Sequence, residues 1–372
     1  MRTSRTGRTL AALAAMLAGV ALTAGAPADP LQVDRVVLMM RHGIRPPTKA
    51  QPMPIGTAAA AWPTWSVKPG WLTDFDRIGF IKAGLLPLTD CPTRIALLAD
   101  SDQRTIATAA SYAKGVAPGC SLTIEHRPQD EPDPMFNPIE SGQAPLDPAR
   151  AGAAIDAAVG PRGIAATERG MKPLLIRLDR VLCGSATATC GVAREPTTIR
   201  PATATSRPKL GGALDRASTA AQILLLEYAE GKPANEVGWG RATASDIAAF
   251  GAFHALEFRL LARPPYIATR NLAGLSPRIA TWLTDEAPTA PKVALIAGHD
   301  TNVANLAGVL GLHWNVPGIA ADDPVPGGAI QLERLTDGKG NHYVRASYRA
   351  QSLPELRAAT AKAWFLIVAV PS

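Results

Sequence analysis

"VVLMMRHGIRPPTK", residues 36–49, passes without a break from apolar residues into Arg41, His42, Arg45 and Lys49. A strand covered on both faces of a sheet reads as a near-continuous apolar run, so residues 33–40 are predicted as a strand inside an α/β sheet. The carboxyl end of such a strand is where an open α/β sheet receives its ligands. Fixed cations crowded at that point repel one another and resist desolvation, and an anion held among them relieves both penalties. Gly43 permits close approach of backbone to a ligand, and Pro46 and Pro47 fix the exit of the chain.

Two later segments share this design. "IALLADSDQRT", residues 95–105, reads as a strand followed by Ser101 and Asp102 as helix N-caps, with Arg104 in the first helical turn. A cation there opposes the helix dipole, a local cost that a bound anion offsets. "VALIAGHDTN", residues 293–302, reads as a strand ending at Gly298, then His299 and Asp300, then a helix. A histidine and an aspartate at that edge are placed for proton transfer to a bound group.

Further strands are predicted at residues 122–125, 329–335 and 343–348, the last two alternating more, as suits a sheet edge. Between about 140 and 285 the spacing turns helical, as in 214–228 and 247–261, and strand-like runs are absent. The expected architecture is an α/β domain made from 29–139 and 286–372, interrupted by a mainly helical insertion at 140–285. Residues 195–209, rich in Pro, Thr and Arg, read as an exposed loop, and "FLIVAVPS" at 365–372 as a strand-like run that either completes the sheet or stays exposed.

Arg2, Arg5 and Arg8 precede an apolar run over 10–22 and then small residues, the pattern of a secretory leader cleaved after Ala26-Pro27-Ala28. About 13 apolar residues fall short of the roughly 20 that span a bilayer. Without those three arginines the formal charge of +7 becomes +4, scattered among acids with no basic run, which argues against a nucleic-acid partner. Four cysteines remain, and the simplest of three connectivities joins Cys91 to Cys120 and Cys183 to Cys190. Each bridge would contribute roughly 2–4 kcal/mol. No CxxC pair, Walker loop or HExxH run is present, so neither a metal nor a cofactor is expected. His126, His254, His313 and His342 read as ordinary surface or packing residues.

The pattern RHGxRxPT, matched by Arg41, His42, Gly43, Arg45, Pro47 and Thr48, and the pair His299-Asp300 resemble the histidine acid phosphatases, in their bacterial periplasmic phytase and glucose-1-phosphatase branch. "QRT" at 103–105, "DPMFNP" at 133–138, "GWGR" at 238–241 and "PGG" at 326–328 extend the similarity over most of the chain. The resemblance implies a mixed sheet flanked by helices, phosphoglycerate-mutase-like, and a metal-free monomeric periplasmic or secreted enzyme acting on small phosphate esters. His42 would be the nucleophile, Arg41, Arg45, Arg104 and His299 the phosphate ligands, and Asp300 the acid, working at acidic pH. Thr48, Lys49 and Thr301 follow the phytase-like pattern and Gln222 departs from it, since a glutamate is expected there. Phytate is therefore ranked ahead of a sugar phosphate, with a non-catalytic phosphate-binding relic as a further alternative. Relatives continue beyond "QSLPELR", so the C-terminus reads as shortened.

Overall fold

The computed structural model describes residues 31–74, 91, 94–186, 189–360 and 367–368. The predicted leader and most of 365–372 lie outside the described residues. Nine strands are present among them. β1 (Gln32–Arg41), β2 (Ile95–Ala99), β3 (Ile124–Glu125), β6 (Val293–Gly298), β7 (Ala329–Thr336), β8 (His342–Arg349) and β9 (Ile367–Val368) form one sheet in the order β3-β2-β6-β1-β7-β8-β9. β3, β2, β6 and β1 run parallel, whereas β7, β8 and β9 add antiparallel neighbours, so the sheet is mixed.

β1 follows from its sequence. Val36, Leu38 and Met40 enter one apolar cluster with Tyr112 and Ala113 of α1 (Gln103–Val116), while Val37 and Met39 enter the other. Alternate side chains leave on opposite faces, and both faces are covered. β6 is buried throughout for the same reason.

β7 corrects the edge prediction. It lies between β1 and β8 and is buried over seven of its eight residues. Its polar residues are satisfied by neighbours instead of water: Gln331 accepts from Arg349 at 2.9 Å, Glu333 from Arg345 at 2.6 Å, and Arg334 donates to Asp34 at 2.9 Å. Ile367 and Val368 pair with Tyr348 and Ser347, so that part of the terminal run extends the sheet beyond β8.

Between β3 and β6 the chain is helical: α2 (Pro148–Val159), α3 (Gly163–Cys183), α4 (Ala213–Ala229), α5 (Ala244–Leu261), α6 (Pro265–Asn271) and α7 (Ser276–Thr284). α8 (Asp300–Leu310) follows β6 and α9 (Leu353–Ala358) follows β8. The segment 195–209 is more ordered than predicted, because β4 (Thr198–Arg200) and β5 (Lys209–Gly211) pair as a small hairpin. Leu178, Leu224 and Phe250 of the helices share one apolar cluster with Ile296 and Ile330 of the sheet, so the helical segment packs directly on it. Cys91 is bonded to Cys120 and Cys183 to Cys190, as predicted. No helix among the described residues is long and apolar enough to cross a membrane.

Candidate active site

Strand register assembles the site. β1 pairs with β6 so that Arg41 lies beside Gly298, and β2 pairs with β6 so that Ala99 lies beside Ala297. The residues that follow, His42, His299 and Asp100, therefore emerge together at the carboxyl edge. The His42 and His299 rings stand edge to face with centroids 5.5 Å apart. The backbone locks them there, since His42 N–H donates to the Gly298 carbonyl at 2.8 Å and Arg41 N–H to the Gly328 carbonyl at 2.9 Å. Gly328 cannot be larger, because a Cβ would lie 2.3 Å from the Tyr348 hydroxyl.

His42 is 1% exposed. Burial, with Arg104, Arg45, His299 and Arg41 around it, holds its imidazole well below the usual histidine range. It is neutral, and Nδ1–H donates to the Gly43 carbonyl at 2.8 Å. Nε2 has no hydrogen bond to any described residue and keeps the lone pair that a nucleophile needs.

Cations surround that nitrogen. Arg41 donates to the Pro324 carbonyl at 2.5 Å and to Gln222 Oε1 at 2.9 Å, and its Nη2 lies 3.1 Å from Asp300 Oδ2. Arg45 is pushed down to about 9 by burial and by the like charges of Arg104 and Arg41. Arg104 Nη2 is 2.6 Å from Asp102 and 3.5 Å from His299 Nδ1. The Nε atoms of Arg41, Arg45 and Arg104 are all buried without a partner among the described residues. Donors left unsatisfied beside one another suit a polyoxygen anion.

Asp102 stands at the N-cap of α1 but makes no side-chain cap hydrogen bond, contrary to the sequence prediction. Its carboxylate is directed to Arg104 and to His299 Nε2, 3.3 Å away. The sequence reading gave no role to Asp100, whose Oδ2 is 2.7 Å from the same His299 nitrogen. Burial lowers the proton affinity of His299, but hydrogen bonds to Asp100 and Asp102 outweigh it and hold the imidazole above its usual range. His299 is thereby kept a cation. Asp100, Asp102 and His299 also have the spacing of metal ligands. His299 Nε2 is already engaged by both carboxylates, and Asp102 also pairs with Arg104.

Asp300 opens α8, where the helix dipole favours a carboxylate. Burial raises its proton affinity, but Arg41, His254, His299 and Arg45 overcome this and hold it well below the usual carboxylate range. The acid form assumed from sequence is thus not the resting form. A phosphate dianion among the same cations would offset them and return a proton to Asp300.

The cleft has two lobes that share Arg45 and Asp300. One, of about 280 Å³, contains His42, Arg104 and His299. The other, of about 370 Å³, is lined by Thr48, Lys49, Gln222, His254 and Glu257. Thr301 lines the first lobe and donates its backbone N–H to Asp300 at 2.8 Å. All ten residues predicted for catalysis or binding therefore reach one cleft. His254, read from sequence as an ordinary packing residue, lies in it as well, and Arg207 enters the smaller lobe from the β4–β5 hairpin.

Residues 73–349 match the model of the histidine phosphatase superfamily (branch 2). The chain is 36% identical to phytase AppA of Escherichia coli (strain K12), over 88% of this chain and 82% of the relative. It is 25% identical to the glucose-1-phosphatase of Salmonella typhimurium, over 95% and 89% of the two chains. The structure of Hafnia alvei phytase in complex with myo-inositol hexakis sulphate superposes with a TM-score of 0.79 at 31% identity, covering 90% of this chain and 88% of that one.

Proposed function

Because the chain belongs to the histidine phosphatase superfamily (branch 2), we propose that it hydrolyses phytate-type myo-inositol phosphates through a phosphohistidine on His42. It is a histidine acid phosphatase. The observation that carries the mechanism is the neutral, buried His42 ringed by Arg41, Arg45, Arg104 and His299.

In the first step Nε2 of His42 attacks phosphorus and the ester oxygen departs. The three guanidiniums and the His299 imidazolium hold the equatorial oxygens, whose charge is spread in the transition state. Asp300, protonated once the dianion offsets its cations, gives its proton to the leaving oxygen. In the second step water attacks the phosphohistidine, Asp300 takes a proton from that water, and phosphate leaves.

Substrate choice rests on the larger lobe. Lys49 and Thr48 line it beyond the phosphate cluster, where a cation suits a second phosphate on the same ring. The 36% identity to a phytase, against 25% to a glucose-1-phosphatase, supports the same order. Gln222, which holds Arg41, is the feature that favours the sugar-phosphate alternative. Export to the periplasm or medium is favoured by the two disulfides and the N-terminal apolar run. Initial rates on phytate, glucose 1-phosphate and an aryl phosphate at about pH 5, with and without EDTA, test the reading. A kcat/KM highest for phytate and unchanged by EDTA is expected. Preference for glucose 1-phosphate would overturn the substrate assignment, and phosphate binding without turnover of any ester would favour a binding relic.

A further inference from the structure

Asp323 lies in the loop before β7, 1% exposed, with Oδ1 2.6 Å from Nδ1 of His254 on α5. Its Oδ2 is buried without a hydrogen-bond partner among the described residues. Trp314 fixes the loop, since its Nε1 donates to the Asp323 carbonyl at 3.0 Å and its ring stacks on Tyr348. α5 makes room at Gly251, one turn before His254, where a Cβ would stand 3.0 Å from Asp323 Oδ2. On the other side of the imidazole, His254 Nε2 is 3.8 Å from Asp300 Oδ2. One histidine, 6% exposed, thus stands between a carboxylate sealed in the protein and the carboxylate that meets substrate.

A buried carboxylate whose one partner is an imidazole is costly unless the pair holds a proton. With Nδ1–H held by Asp323, the second proton of the imidazolium, on Nε2, can reach Asp300 once Nε2 and Oδ2 close to the ordinary hydrogen-bond distance of about 2.8 Å. Among the described residues, Glu257 of α5 also interacts with His254, and Arg41, paired with Asp300, lines the same lobe. Glu257 accepts from Ser218 of α4 at 2.5 Å, and burial pushes its carboxyl up, against ionisation. Asp323 and Asp300 are therefore the anions that govern the proton on His254.

We propose that Asp323 and His254 form a proton relay behind Asp300. This inference rests on reading Asp300 as the acid. Phosphate binding draws the proton from His254 Nε2 to Asp300 Oδ2, leaving the imidazole neutral, and Asp300 passes the proton to the departing alcohol. During hydrolysis of the phosphohistidine Asp300 takes a proton from water and returns it to Nε2. The cycle restores both residues, and its net reaction is ester plus water to alcohol plus phosphate.

The test compares kcat/KM, which covers steps up to loss of the alcohol, for an alkyl phosphate and an activated aryl phosphate across pH. The enzyme, Asp323→Asn, His254→Gln and Asp300→Asn are measured in parallel, with folding checked by thermal melting. Asp323→Asn preserves shape and removes the charge that holds the proton. It is expected to lower kcat/KM for the alkyl ester about tenfold more than for the aryl ester and to move the alkaline limb to lower pH. His254→Gln should show the same ester discrimination, and carries the test alone if Asp323→Asn does not fold. Equal losses on both esters with an unmoved pH profile would overturn the relay and leave the pair a packing feature. Ester discrimination in Asp300→Asn without it in the other two would reject the relay alone. Its absence in Asp300→Asn would remove the acid assignment itself.

Discussion

The wall that faces the reacting phosphorus comes from the ends of β1, β2 and β6, whereas the opposite wall comes from α4, α5 and the loop carrying Thr48 and Lys49. On the first, backbone hydrogen bonds between strands place His42 and His299, and Arg41 is buried against carbonyl and carboxylate partners. On the second, Lys49 is exposed, and Gln222 keeps a buried Nε2 without a partner among the described residues. A sheet edge gives the fixed geometry that stabilising a transition state requires. Helix faces and a surface loop can change side chains without disturbing that geometry. Substitutions of the cations and His42 on the sheet wall should therefore affect every ester alike, unlike those of the proposed acid Asp300, and those on the opposite wall should change which ester is preferred.

The largest expected effect breaks the sheet wall. Arg104→Ala removes a proposed phosphate ligand and one of the charges that keep His42 neutral. It should lower kcat/KM by about 10²–10³ for phytate and aryl phosphate alike, as read from initial rates on both. A loss confined to phytate would place Arg104 on the wrong side of the comparison.

Asp100→Asn gives a smaller effect and a direction in pH. His299, held above its usual range, remains a cation as pH climbs, and this proposed phosphate ligand is lost only when pH passes its elevated value. Removing the Asp100 charge lowers that value, so the alkaline limb of kcat/KM should move to lower pH while activity near pH 5 changes about threefold or less. A limb moved upward would contradict the assignment of His299 as a required cation.

Lys49→Met is the smallest and sharpens the other wall. An exposed lysine meeting a second phosphate contributes on the order of 1 kcal/mol, so the ratio of phytate to aryl phosphate turnover should fall about fivefold with the aryl rate unchanged. Equal change on both substrates would separate Lys49 from substrate choice.

Much of the sheet wall was legible in the sequence because central parallel strands must be apolar on both faces, and each apolar run ends in the residues it delivers. β7 misled for a physical reason. Gln331, Glu333 and Arg334 look like a solvent face, yet each is buried and satisfied by a partner in another segment. Asp102 read as a helix cap because its local position fits one, while Arg104 and His299 compete for the same carboxylate. The helical wall was harder to read. His254 sits in a helix rich in apolar residues, and its partner Asp323 is 69 residues away in a loop, so only the fold joins them. Arg207 was hidden in a segment whose composition resembles a solvated loop and which instead forms a hairpin against the cleft.

The central claim is that His42 becomes covalently phosphorylated. Rapid acid-free quenching of the enzyme during turnover of a labelled phosphate ester, followed by peptide mapping, tests it directly. An acid-labile, alkali-stable phosphoryl group is expected on the peptide containing His42, absent from a folded His42→Ala variant. Full turnover by that variant, or a phosphoryl group on another residue, would contradict it.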